Sequence, residues 1–416
     1  MTEAPRAPLF PRFVTEKVES ALSDTRIVVV QGARQVGKST LVERVLSGRA
    51  GARFLTLDDP DVLAAARSDP VTFVRHEGIL GIDEIQRAPE LLLPLKAEVD
   101  RDRRPGRFLL TGSAHVLMLP RLADTLTGRV ELVELWPLSQ GEILRRREGF
   151  LDRLFAPPRE WPVAERLSRR GALERAFAGG FPEARLRSPP RRGAWFDSYL
   201  QTFATRDVLD LKDIDHARRL RRLLALVAAR TTGILNVADL GRDARLPATT
   251  TQRYLDLLEA AFLLVRLPAW STNRTQRVVS APKCYLSDGG LCAHLLDADL
   301  EAVSGPTADA GPILETMVVL ELRKQLGWSQ HGTAMHHLRT KDQVEVDVVL
   351  TTPRGHVAGV EVKAGATVGA SDFRGLRWLQ ARTGEAFTQG IVLYTGDQVL
   401  GFGPGLWALP FAALWS

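Results

Sequence analysis

Cysteine is nearly absent: Cys284 and Cys292 are the only two in 416 residues. That excludes a disulfide framework and a cysteine-built metal site, and it predicts a reducing, cytoplasmic setting. Long apolar runs are missing too, since none approaches the ~20 residues that span a bilayer, so no membrane partner is expected. Residues 1–12 carry no apolar stretch followed by a small-residue cleavage site, which predicts no export. Lysine is scarce, with eight against 47 arginines. No internal repeat is present.

What remains is ordinary for a folded chain, with 45% hydrophobic and 25% charged residues. The length exceeds one ordinary core and predicts two or three domains. A formal net charge of +6 favours an acidic partner, nucleic acid and DNA first among them. The arginine surplus is equally the mark of a GC-rich genome.

The β-branched run Arg26–Gln31 predicts a buried strand. Further strands are expected at Arg53–Leu57, Gly78–Asp83, Phe108–Thr111 and Val130–Leu135, with helices between them. Strands alternating with helices predict a parallel sheet covered on both faces. The expected organisation is an α/β ATPase domain (1–146), a Pro- and Arg-rich connection (147–194), a helical domain (195–300) and a second α/β domain (301–416).

Gly32-Ala33-Arg34-Gln35-Val36-Gly37-Lys38-Ser39-Thr40 matches the phosphate-loop pattern in its required place, after a strand and opening a helix. The glycines let backbone N–H groups wrap a phosphate, and the helix N-terminus adds positive potential. Lys38 is assigned to the β- and γ-phosphates of ATP, and Ser39 to Mg²⁺. Asp83 and Glu84 end an apolar strand where parallel sheets bind ligands. Asp83 is read as the second Mg²⁺ group and Glu84 as the group that orients or deprotonates water. Thr111-Gly-Ser113 ends the next strand with hydroxyls placed to sense the γ-phosphate. This order resembles that of AAA-type ATPases. The resemblance implies an arginine from a neighbouring subunit, for which Arg129, or else Arg121, is the candidate, and hence a homo-oligomer.

Residues 235–259 read as a helix-turn-helix: a helix at Val237–Ala244, a turn at Leu246-Pro247 and a second helix capped by Thr249–Thr251. Ala261–Leu267 would begin a wing. Thr250, Gln252 and Arg253 are the candidates to face a DNA groove. Arg218, Arg219, Arg221, Arg222, Arg242 and Arg245 are the candidates for phosphates. Near the carboxyl end, Asp347, Glu361 and Lys363 follow the D…E-x-K spacing, with Glu315 on the preceding helix. Period-2 geometry puts Glu361 and Lys363 on one face. Two carboxylates with a lysine suit Mg²⁺-assisted attack on a phosphodiester.

The whole chain resembles bacterial and archaeal AAA-superfamily P-loop ATPases joined to a C-terminal domain of unknown function. Besides the motifs above, the resemblance rests on Gly128-Arg129, Trp136–Ser139, Gly179–Pro182, Thr205–Asp207, Leu286–Leu291 and Gly311–Glu315. It implies an AAA-type ATPase domain, a winged-helix middle domain and a PD-(D/E)xK restriction-endonuclease-like α/β domain. Three functions follow as expectations: a DNA-dependent ATPase acting on branched or broken DNA, a nucleotide-gated nuclease, and a regulatory switch that binds protein partners.

Overall fold

The computed structural model describes residues 9–112, 126–156, 160–163, 165–206, 214–271, 280–305 and 308–416. The expectations for Ser113, Arg121 and Asp207 lie outside these residues. Five strands, β1 (Ile27–Gln31), β2 (Arg53–Thr56), β3 (Leu80–Asp83), β4 (Phe108–Gly112) and β5 (Val130–Glu134), form a wholly parallel sheet in the order β2-β3-β4-β1-β5. Central β1 is buried along its whole length. Side chains alternate across a strand, so Val28 and Val30 enter one core while Ile27 and Val29 enter another. Because β3, β4 and β1 are neighbours, the phosphate loop, Asp83-Glu84 and Thr111 emerge together at one sheet edge.

The described residues of 147–194 are largely helical and packed. They contain Phe150–Arg153, Arg169–Ala178 and Pro182–Arg185 and the start of the long helix Pro189–Arg206, and Phe150, Leu173 and Phe181 are fully buried. Helices Ile214–Ala229, Val237–Ala244 and Ala248–Ala260 follow, then an antiparallel pair, β6 (Leu264–Leu267) and β7 (Lys283–Leu286). The second of these helices has the expected bounds, but the expected threonine cap of the third is corrected. Pro247 holds the N-cap position, no side chain caps the helix, and Thr251 is buried with its hydroxyl donating to Pro247 O at 3.0 Å. Proline serves there because its fixed φ suits helix entry.

The last unit packs helix Gly311–Gln325 on a six-stranded sheet of β8 (Ala334–Arg339), β9 (Glu345–Thr351), β10 (Val357–Lys363), β11 (Phe387–Tyr394), β12 (Leu400–Gly403) and β13 (Leu406–Pro410). The order is β12-β13-β11-β10-β9-β8, with β10–β11 and β11–β13 parallel and the other pairs antiparallel. Ala358, Val360, Ile391 and Leu393 join the same core as Val28 and Val30. One face of each large sheet therefore feeds a single apolar interior. Among the described residues no helix is long and apolar enough to cross a membrane.

Three of the sequence signatures meet at a polar junction inside this interior. Gly180 N donates to Asp288 at 2.6 Å, and Leu138 N donates to Gly180 O at 2.8 Å. A Cβ on Gly179 would lie 2.3 Å from Asp288 Oδ1, and one on Gly180 would lie 2.3 Å from Leu138 O, so only glycine lets these backbones approach. From helix Gly311–Gln325, Lys324 Nζ donates to Leu138 O at 3.0 Å and Glu321 accepts from Gln140 N at 2.8 Å. Glu148 accepts from Gly141 N at 2.6 Å through Oε1, whereas its buried Oε2 has no partner.

Burial, reinforced by Glu321, raises Glu148 to about 8 from an ordinary value of 4.5. The folded state therefore keeps a proton that the unfolded chain gives up. Its stabilising share is complete below the unfolded value and is lost as pH rises through the folded one. Denaturation followed from pH 4.5 to above 8 should show stability falling. Glu148→Gln, which mimics the protonated acid, should flatten the fall; an unaltered pH profile in that variant would refute the assignment.

Candidate functional site

The phosphate loop is shaped by backbone crowding. Gly32 runs so close to the chain after β5 that a Cβ would meet Leu135 O at 2.1 Å. Gly37 adopts φ +94° and Gln35 φ 61°, both left-handed. Ala33 and Val36 are buried, Arg34 is half-buried, and Gln35 and Thr40 are exposed. Helix Lys38–Leu46 starts directly from the loop. Lys38 is 5% exposed, and its ammonium donates to Gly32 O at 3.0 Å and Ala33 O at 2.9 Å. Arg12, which no sequence pattern singles out, clamps the loop from outside. Its guanidinium donates to Val36 O and Trp136 O, both at 2.6 Å, and to Glu142 at 3.1 Å.

Asp83 lies at the centre. Ser39 Oγ is 2.9 Å from each of its carboxylate oxygens, Thr56 Oγ1 donates to Oδ2 at 3.2 Å, and Thr111 Oγ1 donates to Oδ1. The Thr111 hydroxyl also accepts from Glu84 N at 3.0 Å. Glu84 turns the chain with φ 57°, and its carboxylate accepts from Gln86 Nε2. Glu84, Arg34, Gln35 and Asp58 form one wall of a cavity of about 660 Å³, and helix Pro189–Arg206 forms the other. That volume lies within the ~300–1,000 Å³ usual for small-ligand sites.

Arg129 is engaged within its own chain, with Nε and Nη2 on the two Asp100 oxygens at 2.6 and 2.9 Å. The hydrogen bond from Arg129 holds Asp100 below the usual carboxylate range, and Arg129 is raised in return.

Magnesium suits the Ser39–Asp83 pair. It binds hard oxygen donors and commonly takes one or two protein groups, leaving phosphate and water to fill the rest. Among the described residues no group of three or more His, Cys, Asp or Glu is arranged to hold a metal.

The structure gathers Glu315, Asp347, Glu361 and Lys363 and adds a residue absent from the sequence reading. Lys283 of β7 enters from the middle unit, 2% exposed, with its ammonium 3.0 Å from Glu315, 2.8 Å from Glu345 and 3.1 Å from Asp347. Tyr285, two residues on and on the same strand face, donates to Glu315 at 2.7 Å. Asp347 Oδ2 accepts from Val362 N at 2.9 Å, and Lys363 donates to Glu361 at 2.8 Å. Burial opposes the charge on Lys283, but Asp347, Glu315 and Glu345 outweigh it and raise the ammonium above the ordinary lysine value. Burial and Asp347 push Glu315 up to about 7 and Glu361 to about 8.

Of the DNA candidates, Gln252 and Arg253 are exposed on helix Ala248–Ala260 and Thr250 is half-buried. Gln252 donates to Asp256 at 2.7 Å. Arg218, Arg219, Arg221, Arg222, Arg242 and Arg245 are all exposed. Arg221 pairs with Asp197, Arg242 with Asp239, and Arg222 donates to Asp243 O.

Comparison with known proteins matches an AAA domain over residues 24–144 and two domains of unknown function, DUF8612 over 169–302 and DUF4143 over 310–414. The uncharacterized protein Rv2008c of Mycobacterium tuberculosis is 30% identical over 358 residues, covering 86% of this chain and 74% of its own. The uncharacterized protein MJ1544 of Methanocaldococcus jannaschii is 22% identical over 329 residues, covering 76% and 70%. Among solved structures, the Walker-type ATPase PABY2304 of Pyrococcus abyssi aligns at 17% identity with a TM-score of 0.43, over 71% of this chain and 99% of that one.

Lys283→Met should strip the buried Asp347 and the half-buried Glu315 and Glu345 of their cation and destabilise the protein by about 3–5 kcal/mol, the usual result of breaking a buried ion pair from one side. Urea denaturation at neutral pH measures this; a loss below about 1 kcal/mol, the worth of a surface pair, would contradict it.

Proposed function

This chain belongs to the AAA-type P-loop ATPase family that it shares with the Mycobacterium tuberculosis relative, and from that premise we propose a magnesium-dependent ATPase that acts on DNA as an oligomer. The observation that carries the ATPase chemistry is the 2.9 Å approach of Ser39 Oγ to Asp83 with Glu84 as the next residue. It sets the two oxygen donors for a metal beside a second carboxylate on the cavity wall. Backbone N–H groups of Gly32–Thr40 would cradle the β- and γ-phosphates. Lys38 would exchange its hold on two loop carbonyls for phosphate oxygens. Glu84 would orient the attacking water and draw its proton. Bound through Ser39 and Asp83, magnesium would offset charge on the phosphate oxygens.

The DNA reading is supported by the net charge of +6 and by the exposed Arg218, Arg219, Gln252 and Arg253 on two successive helices. Ion pairs such as Arg221–Asp197 are exposed and weak, so phosphates compete for those arginines easily. The oligomer reading asks Arg129 to leave Asp100 for a neighbouring subunit's nucleotide. A nuclease is the second reading, favoured by the convergence of Glu315, Asp347, Glu361 and Lys363. A divalent ion there must compete with the Lys283 ammonium. If the purified protein never cuts DNA or RNA with Mg²⁺ or Mn²⁺, that reading ends and the unit is a binding module.

Lys38→Ala should abolish nucleotide binding, while Glu84→Gln should keep binding and lose turnover by ~10²-fold or more. Equal turnover in Lys38→Ala and the parent protein would overturn the site. For the partner, ATP turnover should rise with duplex, single-stranded or branched DNA, and affinity should drop steeply with salt. No stimulation by any of the three, with no salt-sensitive binding, removes DNA from the proposal.

A further inference from the structure

All five strands of the first sheet are parallel, so each enters it at the edge opposite the phosphate loop. Segments 24–26, 49–53, 75–79 and 96–107 lead into β1, β2, β3 and β4. They hold nine Arg and Lys against five Asp and Glu, in a chain whose net charge is +6. The segments interlock. Gly106 N donates to Thr25 O at 2.8 Å, Arg107 Nη1 donates to Glu77 O at 3.1 Å, and His76 Nε2 lies 2.7 Å from Gly51 O. They therefore form one surface, about 14 Å across the four strands at the usual ~4.8 Å spacing.

A cavity of about 440 Å³ opens in this surface, lined by Arg75, Arg101, Arg104, Arg107, His76 and three acids. Two of those acids serve all four arginines. Glu98 lies 3.8 Å from Arg75, 2.6 Å from Arg101 and 4.0 Å from Arg107. Asp102 lies 2.6 Å from Arg104 and 3.4 Å from Arg107. Arg107 is 5% exposed, and its buried Nε has no hydrogen-bond partner. Guanidinium donors thus outnumber the oxygens that meet them. Beside the cavity, Arg53 and Arg103 are exposed, with no side-chain ion pair or hydrogen bond among the described residues.

The chemistry of the surface selects its occupant. The exposed large apolar side chains of the described residues are Leu9, Val71, Leu93, Leu186 and Val399, and none belongs to these four segments. A protein partner needs a desolvated apolar centre, whereas a phosphate backbone asks only for charge and donors. Arginine forks also match phosphate oxygens in pairs. We propose that this strand-entry edge docks the sugar-phosphate backbone of duplex DNA, with Arg53 and Arg103 as its free phosphate contacts. The proposal rests on the DNA reading above and adds a surface on the ATPase unit itself. Nucleotide and DNA then occupy opposite ends of β1 and β4, and neither blocks the other.

The test uses the full chain and a short duplex of fixed sequence. Arg53→Ala/Arg103→Ala should bind about tenfold more weakly, and its log affinity should fall less steeply with log salt by roughly two, since each phosphate contact contributes about 0.9. Thermal melting should be unaltered, because both side chains are exposed and unpaired. Arg53→Lys/Arg103→Lys should keep most of the affinity, as a contact with phosphate requires. Arg354→Ala/Arg382→Ala, the same charge change on the exposed surface of the last unit, should bind like the parent. Parent-like binding and salt slope in Arg53→Ala/Arg103→Ala, or an equal loss in Arg354→Ala/Arg382→Ala, overturns the docking edge and leaves the DNA reading in place. A parent protein with no salt-sensitive binding to DNA overturns both, and so does one that binds phosphatidylserine vesicles but not DNA.

Discussion

The carboxylate of Asp83 is the point on which the nucleotide-binding edge depends. A buried carboxylate is costly unless its lone pairs are satisfied, and here the donors come from three other elements: Ser39 after the loop, Thr56 at the end of β2 and Thr111 at the end of β4. Satisfying one side chain thus fixes where three chain segments end relative to β3. The same Thr111 hydroxyl accepts from Glu84 N, which holds Glu84 in its left-handed turn. The candidate site and the sheet registration use the same atoms. The site is pre-organised because the hydrogen bonds that fix its side chains also tie the ends of β2, β3 and β4 together.

That edge is not mechanically isolated. Arg12 ties Val36 of the loop to Trp136 and Glu142, and the segment from Trp136 onward enters the junction with Gly180, Asp288, Glu321 and Lys324. A shift of the loop on binding phosphate would pull on a buried polar network shared by all three units. Close-packed interiors and hydrogen-bonded polar groups transmit such displacements, because small adjustments break contacts outright. The two sheets share one apolar core, so neither can move far without disturbing the other.

The sequence exposes this architecture unevenly, for physical reasons. The parallel sheet is legible because both its faces are buried, which demands runs such as Ile27–Val30, and because a phosphate loop needs glycine at fixed spacing. The candidate-site ends of β1, β3 and β4 follow from the same pattern. The start of helix Pro189–Arg206 is harder to see: Pro189-Pro190-Arg191-Arg192 looks like a connection, although proline is at home in a first helical turn. Its aromatic stripe, Trp195, Phe196, Tyr199 and Phe203, is the signal that marks the buried face. Strand β7 is hidden differently. Four residues beginning with a lysine show no usable alternation, and the lysine is buried only because carboxylates from another part of the chain, distant in sequence, surround it.

Lysine usage carries information that composition alone conceals. In a chain with 47 arginines, four of the eight lysines, Lys38, Lys283, Lys324 and Lys363, sit in the phosphate loop, the acidic cluster or the domain junction. The reason is geometric. An ammonium is a compact point charge with three donors that can meet oxygens arriving from different directions, whereas a guanidinium presents a flat fork suited to one carboxylate. Lys283 meets three separate carboxylates and Lys38 two loop carbonyls, whereas Arg129 takes both oxygens of Asp100 edge-on. Convergent oxygens meet an ammonium at Lys38 and Lys283, and they are also what a hard metal ion selects. At Asp83 the convergence is of hydroxyls, and the neighbouring Glu84 lines the cavity of about 660 Å³. At Asp347 the chain supplies its own cation from β7, and the acids there serve first to fasten the middle unit to the last.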